Sequence, residues 1–420
     1  MSRPMKESGV NWVRQIPCAW KVKKVKYNFK NTRYIPGAKS SEYDRLSLTL
    51  NGVIYRSKDD ADGLQPKDFF TYQLLRKGEL VFKLIDLQNV STSRVGLSRN
   101  TGLVSPAYIV LRADGEITPE FAEKYFLMLW HREIFNALAD NGVRSNLSAT
   151  DLLNIPICYP NISEQRIITA FLENKCAKVE ALSNDIQSEI DTLEAYKRSV
   201  ITETVTRGIT SLGFVNTGSN VWSAVPEKWR LVNIKYLFEI VKRIAGKEGY
   251  DILAITKQGI KVKDISLNEG QIASDYSGYQ FVYPGDFAMN CLDLNAGWID
   301  ISRLFGVTSP DYRVFRLREQ NNHCADYYKY LFQMCYTEKI FYSLTQGVTE
   351  SYRRLPASVF NNFKVPVPPK DEQVQIATFL DKICGEVDTI IAQKREQLAV
   401  LADYKKSVIY EYVTGKKEVV

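Results

Sequence analysis

Histidine is scarce in this chain, since only His131 and His323 occur among its 420 residues. Histidine is the side chain best suited to acid–base catalysis near neutral pH, and a multi-histidine metal site needs several imidazole rings. Each histidine also stands beside aromatic residues in a stretch with a helical pattern. We therefore interpret both as structural residues, and we expect neither a catalytic residue nor a metal site in this chain.

Motifs that bind nucleotides are missing as well. The chain has no G-x-x-x-x-G-K-[ST] phosphate loop, and the Gly246-Lys247-Glu248 segment is not one. It also has no G-x-G-x-x-G and no Asn/Asp-Pro-Pro-aromatic tetrapeptide, with which adenine-modifying methyltransferases hold a flipped base. Its carboxylates show no spacing that singles out an acid–base pair. These absences favour binding over catalysis, and no cofactor is expected on this chain.

Long apolar runs and paired cysteines are also absent. No stretch approaches the roughly 18–20 apolar residues of a membrane span, and no apolar core follows Met1. We therefore expect a cytoplasmic protein without membrane contact. The seven cysteines include no C-x-x-C pair, which argues against a zinc ribbon or a redox motif. Reduced and mostly packed thiols are expected.

The positive charge of the chain is unevenly distributed. The formal net charge is +7, and residues 163–207 and 371–420 are each slightly acidic, so the excess lies on the remaining segments. Basic globular parts suit a polyanion, because Lys and Arg bind phosphates and release condensed counterions. The alternative is that this charge only keeps the protein soluble. With 45% apolar residues, a chain of this length predicts two or three domains.

One long segment occurs twice, at an offset of 208 residues. Residues 164–206 reappear as residues 372–414, including the shared Glu-Gln start and the shared Val-Thr end. Shorter motifs repeat too, namely Pro17-x-x-Trp20 with Pro226-x-x-Trp229, and Gly102-x-x-Ser-Pro-x-Tyr108 with Gly306-x-x-Ser-Pro-x-Tyr312. Between these anchors, across residues 30–75 and 239–283, almost nothing aligns. A shared framework with different interiors predicts two similar domains that bind different ligands.

Each copy of the long segment carries an apolar heptad pattern, which is typical of a coiled coil. The seam positions are Leu172, Val179, Ile186, Leu193 and Val200 in the first copy, and Leu380, Val387, Lys394, Leu401 and Val408 in the second. Leu182 and Tyr196 are expected to share the seam, because they follow Val179 and Leu193 by three residues. Each helix is predicted to extend over about 44 residues, or roughly 66 Å.

We expect the two helices to pair antiparallel within the chain, which would relate the two domains by a pseudo-twofold axis. The alternative is that each helix packs only against its own domain. Ser163 is the predicted N-cap of the first helix. Lys394 interrupts the second seam and is expected to set register, as polar seam residues do in other coiled coils.

The remaining sequence is mixed, and the predicted fold class is α+β. Strand-like segments begin near Trp20, Leu80 and Tyr108, while residues 121–138 and 325–344 have helical patterns. Proline-containing extended segments precede both long helices. The predicted domains are residues 1–160, a helical spacer at 161–210, residues 211–369, and a second helical spacer at 370–420.

Several loop-like arginines are candidates for DNA contact, since a guanidinium group can bind phosphate or the guanine edge bidentately. Arg94, Arg99 and Arg303 precede the two Gly-x-x-Ser-Pro-x-Tyr anchors. Two glycine-led segments at matching positions add five further candidates, which are Arg144, Asn146, Ser351, Arg353 and Arg354. The alternative for each residue is a solvated turn.

These repeated motifs resemble the specificity subunit of type I restriction-modification systems. The resemblance covers essentially the whole chain and is most specific in the paired E-Q-x-x-I-x-x-F-L and Y-K-x-S-V-I-x-E-x-V-T segments; one departure is Cys18-Ala19 where the second copy has Glu227-Lys228. It implies two target-recognition domains, each reading one half of an interrupted, asymmetric DNA target. It also implies that the helices form a spacer and dock two modification subunits.

By the same resemblance, adenine methylation and ATP-driven translocation and cleavage belong to modification and restriction subunits. S-adenosylmethionine, ATP and Mg²⁺ are then expected on those partners. Two alternatives stay open at this point. One is a coiled-coil interaction scaffold without specific DNA readout, and the other is a DNA-modifying enzyme with its own active site.

Overall fold

The computed structural model describes residues 3–60, 68–88, 93–139, 146–210, 213–264, 275–295, 297–345 and 353–419. It contains long helices and short mixed sheets, so the α+β class is confirmed. By its contacts the chain divides into two units: the first comprises Met1–Ile186 and Arg395–Val420, and the second comprises Gln187–Lys394. Each unit therefore contains a part of both long helices. The four predicted domain boundaries stay a prediction.

The first unit contains twelve strands among its described residues. They are β1 (Met5–Glu7), β2 (Gln15–Pro17), β3 (Lys21–Lys24), β4 (Phe29–Asn31), β5 (Arg45–Thr49), β6 (Gly52–Arg56), β7 (Gln73–Leu75), β8 (Leu80–Phe82), β9 (Val95–Leu97), β10 (Gly102–Val104), β11 (Ile109–Ala113) and β12 (Pro156–Tyr159). Two four-stranded sheets have the orders β6-β5-β10-β7 and β4-β11-β8-β9, and β1 pairs with β2 as β3 does with β12. Its helices are α1 (Pro119–His131), α2 (Ile134–Leu138), α3 (Ala149–Asn154) and the start of α4 (Ile162–Arg207).

The second unit repeats this arrangement. Its strands are β13 (Phe214–Asn216), β14 (Ala224–Pro226), β15 (Arg230–Asn233), β16 (Phe238–Ile240), β17 (Leu253–Thr256), β18 (Gly259–Val262), β19 (Gln280–Val282), β20 (Phe287–Met289), β21 (Ile299–Ile301), β22 (Gly306–Thr308), β23 (Arg313–Leu317) and β24 (Lys364–Val367). Its helices are α5 (Ile234–Leu237), α6 (Ala325–Thr337), α7 (Ile340–Ser343), α8 (Ala357–Asn362) and the start of α9 (Lys370–Val413). One sheet has the order β16-β23-β20-β21, and β17-β18 and β19-β22 form separate pairs.

In each unit one sheet is buried on both faces. Leu80 and Phe82 of β8 enter the larger core around α1, whereas Val81 between them enters a smaller core beneath β5 and β6. Alternate residues of a strand point to opposite faces, so a continuously apolar strand fits a sheet that is covered on both sides. In the second unit, Phe287 and Ala288 of β20 divide in the same way between a larger and a smaller core.

The predicted helices at residues 121–138 and 325–344 are each broken into two. The breaks lie at Glu133 and Lys339, whose φ angles of 56° and 54° place both in the left-handed region. A helix cannot continue through a left-handed residue, so each stretch with a helical pattern forms two consecutive helices. The two breaks occupy equivalent positions in the two units.

The long helices pair antiparallel within each unit. In the first unit the rings of Phe171 and Tyr412 lie 4.5 Å apart, and Lys405 Nζ lies 2.6 Å from Glu180 Oε1. In the second unit Lys197 Nζ lies 2.7 Å from Asp388 Oδ2. Lys394, which interrupts the predicted seam, forms an ion pair with Glu189 on the facing helix.

All ten predicted seam residues are buried or half-buried. Among the accompanying positions, Leu182 and Tyr196 were predicted wrongly, since they are 48% and 51% exposed. The seam is completed instead four residues after each heptad position, for example at Ile190 after Ile186 and at Ile391 after Val387. The N-cap prediction at Ser163 was also wrong, because the side chain of Asn161 accepts the hydrogen bond from the backbone N–H of Glu164.

Candidate nucleic-acid interface

A buried glutamine holds each Gly-x-x-Ser-Pro-x-Tyr anchor in place. Gln73 Nε2 donates hydrogen bonds to the carbonyl oxygens of Ser105 and Tyr108, at 2.9 and 2.6 Å. Gln280 donates in the same way to the carbonyl oxygens of Ser309 and Tyr312, at 2.9 and 2.8 Å. A buried amide that satisfies two carbonyl groups fixes the loop between them. Sequence reasoning missed both glutamines, although each lies in a short strand about 30 residues before its anchor.

Arg99 and Arg303 occupy the same turn in the two units. Ser98 Oγ donates to the carbonyl oxygen of Asn100 at 2.6 Å, and Ser302 Oγ donates to that of Leu304 at 2.7 Å, so each arginine follows an equivalent serine. Both arginines are exposed. The side chain of Arg99 is 84% exposed, with its guanidinium group 4.0 Å from Glu173. This placement is compatible with phosphate contact.

Arg94 lies inside the first unit and not at its surface. Its guanidinium group donates to the carbonyl oxygens of Lys83, Ile85 and Asp86, at 3.4, 3.3 and 2.7 Å. Burial lowers the pKa of Arg94 from its ordinary value. Sequence reasoning proposed it as a DNA contact, but the structure uses it as an internal support for residues 83–86. Only burial separates it from Arg99, and burial is not visible in a loop sequence.

The glycine-led segments are described only in part. Arg144 and Ser351 lie outside the described residues. Asn146 Oδ1 accepts a hydrogen bond from the backbone N–H of Asp86 at 3.0 Å, so Asn146 and Arg94 meet at the same loop. Asn146 therefore also contributes to the internal support of that loop.

The equivalent segment of the second unit presents two arginines. Arg353 Nη1 donates to the carbonyl oxygen of Thr345 at 3.2 Å, and its guanidinium carbon lies 4.2 Å from the ring centre of Tyr342. Arg354 is exposed, with Nη2 3.4 Å from Asp311 Oδ1. Arg353 is thus held against the protein, while Arg354 is accessible from solvent.

A small cavity of about 180 Å³ lies beside Arg354. Its walls include Gln280, Cys291 and Arg313. Burial raises the pKa of the Cys291 thiol and lowers that of the Arg313 guanidinium from their ordinary values. Arg313 Nη2 donates to the carbonyl oxygen of Leu355 at 2.8 Å, so this cation stabilises the end of the glycine-led segment.

Two equivalent β-hairpins lie beside the anchors, in the regions where the sequence halves do not align. β5 and β6 form the first hairpin, and β17 and β18 form the second. Thr49 Oγ1 donates to the carbonyl oxygen of Gly52 at 3.0 Å, and Thr256 Oγ1 donates to that of Gly259 at 2.8 Å. The shared pattern Thr-x-[Asn/Gln]-Gly is the one sequence signal that would have aligned these regions.

The anchor glycines allow these hairpins to pack closely. A Cβ atom on Gly102 would lie 2.7 Å from the carbonyl oxygen of Asp44 and 2.7 Å from Leu46 Cγ. On Gly306 it would lie 2.5 Å from the carbonyl oxygen of Asp251. Only glycine permits this approach of two backbones. The repeated glycine thus positions one hairpin strand in each unit.

Residues 299–400 match a family model described as the type I restriction modification DNA specificity domain. A curated relative, the type I restriction enzyme MjaVIII specificity subunit of Methanocaldococcus jannaschii, is 27% identical over 203 residues. The chain is thus similar, over part of its length, to type I restriction-modification specificity subunits. The sequence match covers 45% of this chain and spans 43% of the length of that relative.

Solved structures are similar in fold over nearly the whole chain. A chain described in connection with complex assembly and conformational transition of the type I R-M system gives a TM-score of 0.68 at 16% identity. That similarity covers 96% of this chain and 99% of the other. The HsdS subunit from Thermoanaerobacter tengcongensis gives a TM-score of 0.45 at 16% identity, over 96% and 98% of the two chains. At this identity the first likeness shows that the two chains share a fold over nearly their whole length.

No helix among the described residues has the length and hydropathy needed to cross a bilayer. No group of three or more His, Cys, Asp or Glu side chains among them is arranged to hold a metal ion.

Proposed function

We propose that this chain is the sequence-specific DNA-binding subunit of a type I restriction-modification complex. The observation that carries the proposal is the duplicated framework, in which the same buried residues support outward residues of different chemistry. Gln73 and Gln280 orient equivalent anchors, and Gly102 and Gly306 seat equivalent hairpins. A scaffold that repeats while its surface changes is expected of two domains that read different sequences.

The proposed target is bipartite and asymmetric, with one half-site for each unit. The equivalent Arg99 and Arg303 are the proposed phosphate contacts, because each extends from the same serine-stabilised turn. Phosphate contacts position a protein on the duplex, whereas contacts to base edges provide specificity. Arg354 is the further accessible candidate. The proposal gives Arg94 and Asn146 a supporting role.

Methylation and cleavage are proposed to reside in partner subunits. The proposed partners are two modification subunits carrying S-adenosylmethionine, with restriction subunits that use ATP and Mg²⁺; the match to a type I restriction modification specificity domain supports the presence of such partners. The chain itself is then non-catalytic and acts in the cytoplasm, where its DNA target is. The paired helices α4 and α9 are the proposed spacer, since each runs without interruption from residues of one unit into residues of the other.

Selection from a random DNA pool tests this function. We expect the purified full chain, alone or with its modification subunits, to enrich two short motifs separated by a gap of constant length. Affinity should fall steeply with salt, because phosphate contacts release counterions. Binding without any enriched motif would favour the interaction scaffold. Methyl transfer by the chain alone would favour a self-contained modifying enzyme.

A further inference from the structure

The two hairpins share their inward residues and differ in their outward ones. The inward positions are aliphatic in both, and they are Leu46, Leu48 and Val53 in the first hairpin and Leu253, Ile255 and Ile260 in the second. The outward positions change in chemistry, from Leu50 and Ile54 in the first to Lys257 and Lys261 in the second. Packing of the inward residues therefore fixes the same hairpin backbone in both units, and the residues on the outer face can differ.

Each hairpin tip carries an exposed carboxamide. Asn51 and Gln258 stand at the same turn position, just before Gly52 and Gly259. The turn itself is stabilised by a threonine, since the backbone N–H of Asn51 donates to Thr49 Oγ1 at 3.2 Å. The first turn therefore does not require the amide side chain, whereas in the second hairpin Gln258 Oε1 accepts a hydrogen bond from Lys261 Nζ at 2.8 Å. Asn and Gln side chains pair bidentately with the N6 and N7 edge of adenine in the major groove.

The outer face of the first hairpin is apolar. Leu50 and Ile54 are 60% and 44% exposed. Exposed apolar side chains grouped on one surface indicate a binding surface. In the major groove, the apolar group available for contact is the C5-methyl of thymine.

The outer face of the second hairpin is basic. Lys257 and Lys261 are exposed beside the tip, and Lys263 follows β18 at once. Three ammonium groups on a two-stranded ribbon complement the phosphates on either side of a groove. A ribbon of this size fits the major groove, which is about 12 Å wide.

We propose that these two hairpins are the elements that read base identity, each placing its tip carboxamide against an adenine in the major groove of its own half-site. The inference rests on the proposed function and assigns it to particular residues. The first hairpin adds apolar contacts to thymine methyl groups, and the second adds lysine contacts to phosphates. The two hairpins therefore have the same backbone structure and read different sequences through different side chains.

A graft of the outward residues tests the proposal. The full chain carrying K257L, Q258N and K261I has the outward residues of the first hairpin on the second, with all inward residues kept. In selection from a random DNA pool, we expect one half-site to change and the other half-site and the gap to stay the same. Two unchanged half-sites in a variant that melts as the unaltered chain does would overturn the proposal.

Single substitutions give the test a second route if the graft does not fold. Asn51→Ala and Gln258→Ala should each reduce discrimination at one base position of one half-site, on the order of 10- to 100-fold. Lys257→Ala should weaken binding to all sequences alike and reduce the salt slope by about 0.9. The matched control is Gln397→Ala, an exposed glutamine on α9, which should leave the motif unchanged.

The outcomes separate this inference from the proposed function. If the unaltered chain enriches no motif, the proposed function fails. If it enriches a motif and both carboxamide variants retain every base preference, the hairpin assignment alone fails. If the carboxamide variants lose assembly with modification subunits without any change in base preference, the hairpin assignment also fails. The hairpins would then be assigned to protein contact.

Discussion

Lys197 Nζ lies 2.7 Å from both carboxylate oxygens of Asp388 on the facing helix. Its counterpart in the first unit joins Lys405 to Glu180 at 2.6 Å. The lysines are 208 residues apart in the chain, as are the two acids. One interhelical ion pair is therefore present twice, and each copy joins the late part of one helix to the middle of the other.

The first prediction concerns this ion pair. Because the side chain of Asp388 is 58% exposed, Lys197→Ala or Asp388→Ala should lower the free energy of unfolding by only about 0.2–1 kcal/mol. A double-mutant cycle followed by denaturant unfolding measures the coupling between them. Lys382 is an exposed lysine on the same helix as Asp388, and Lys382→Ala serves as the matched control. A coupling energy of zero would contradict the pairing.

The second prediction separates the true seam from its neighbours. Leu172 is fully buried, so Leu172→Ala should destabilise the protein by about 2–5 kcal/mol through lost burial and a new cavity. Leu182 is 48% exposed, and Leu182→Ala should change stability by no more than about 0.5 kcal/mol. Chemical unfolding of both variants checks this. Equal losses of unfolding free energy in the two variants would support the sequence-based prediction that Leu182 belongs to the seam.

The third prediction concerns stability at acid pH. Burial, and then the positive charges of Lys406 and Lys405, lower the pKa of His131 from 6.5 to about 4. Between these two values the unfolded chain binds a proton that the folded chain does not, so the stability contribution of His131 is lost as the pH falls from about 6.5 to about 4. Thermal melting across this range should show a shallower decline in the His131→Gln variant. Identical pH profiles would show that His131 does not titrate in this way.

The fourth prediction concerns the proposed spacer. Inserting one seven-residue heptad after Ile186 and another after Lys394 keeps the seam in phase and lengthens both helices by about 10 Å. The gap between enriched half-motifs should grow by roughly three base pairs, at 3.4 Å for each. Motif selection with the unaltered and lengthened chains measures the gap. An unchanged gap in a folded variant would show that the helices do not set the distance between the half-motifs.

The long helices were predictable because their signal is local and periodic. The heptad spacing of the ten seam residues is written in the chain, and all ten are buried or half-buried as expected. The accompanying positions were not predictable, since the choice between three and four residues depends on which ridge of the facing helix is nearest. Tyr196 looked suitable by residue type, whereas Lys197 occupies the half-buried position with its ammonium group on Asp388.

The candidate site was predictable only in outline. The repeated glycines and serines indicated two loops in which Arg99 and Arg303 lie on equivalent turns, and their contact with DNA stays a prediction. Arg94 follows the same sequence logic but is buried, because the carbonyl groups of residues 83–86 converge on it. The hairpins escaped notice because only their threonine and glycine residues repeat.

The sequence alone determined the duplication, the long helices and the resemblance to specificity subunits, because those depend on periodicity, spacing and residue type along the chain. The tertiary structure decided which arginines are exposed to solvent and which hairpins have equivalent backbones. Burial and side-chain orientation depend on residues brought together from distant parts of the chain. For this reason one relationship is visible only in the tertiary structure. Gln73 and Gly102 position the anchor and the hairpin, and Asn51 lies at the tip of that hairpin.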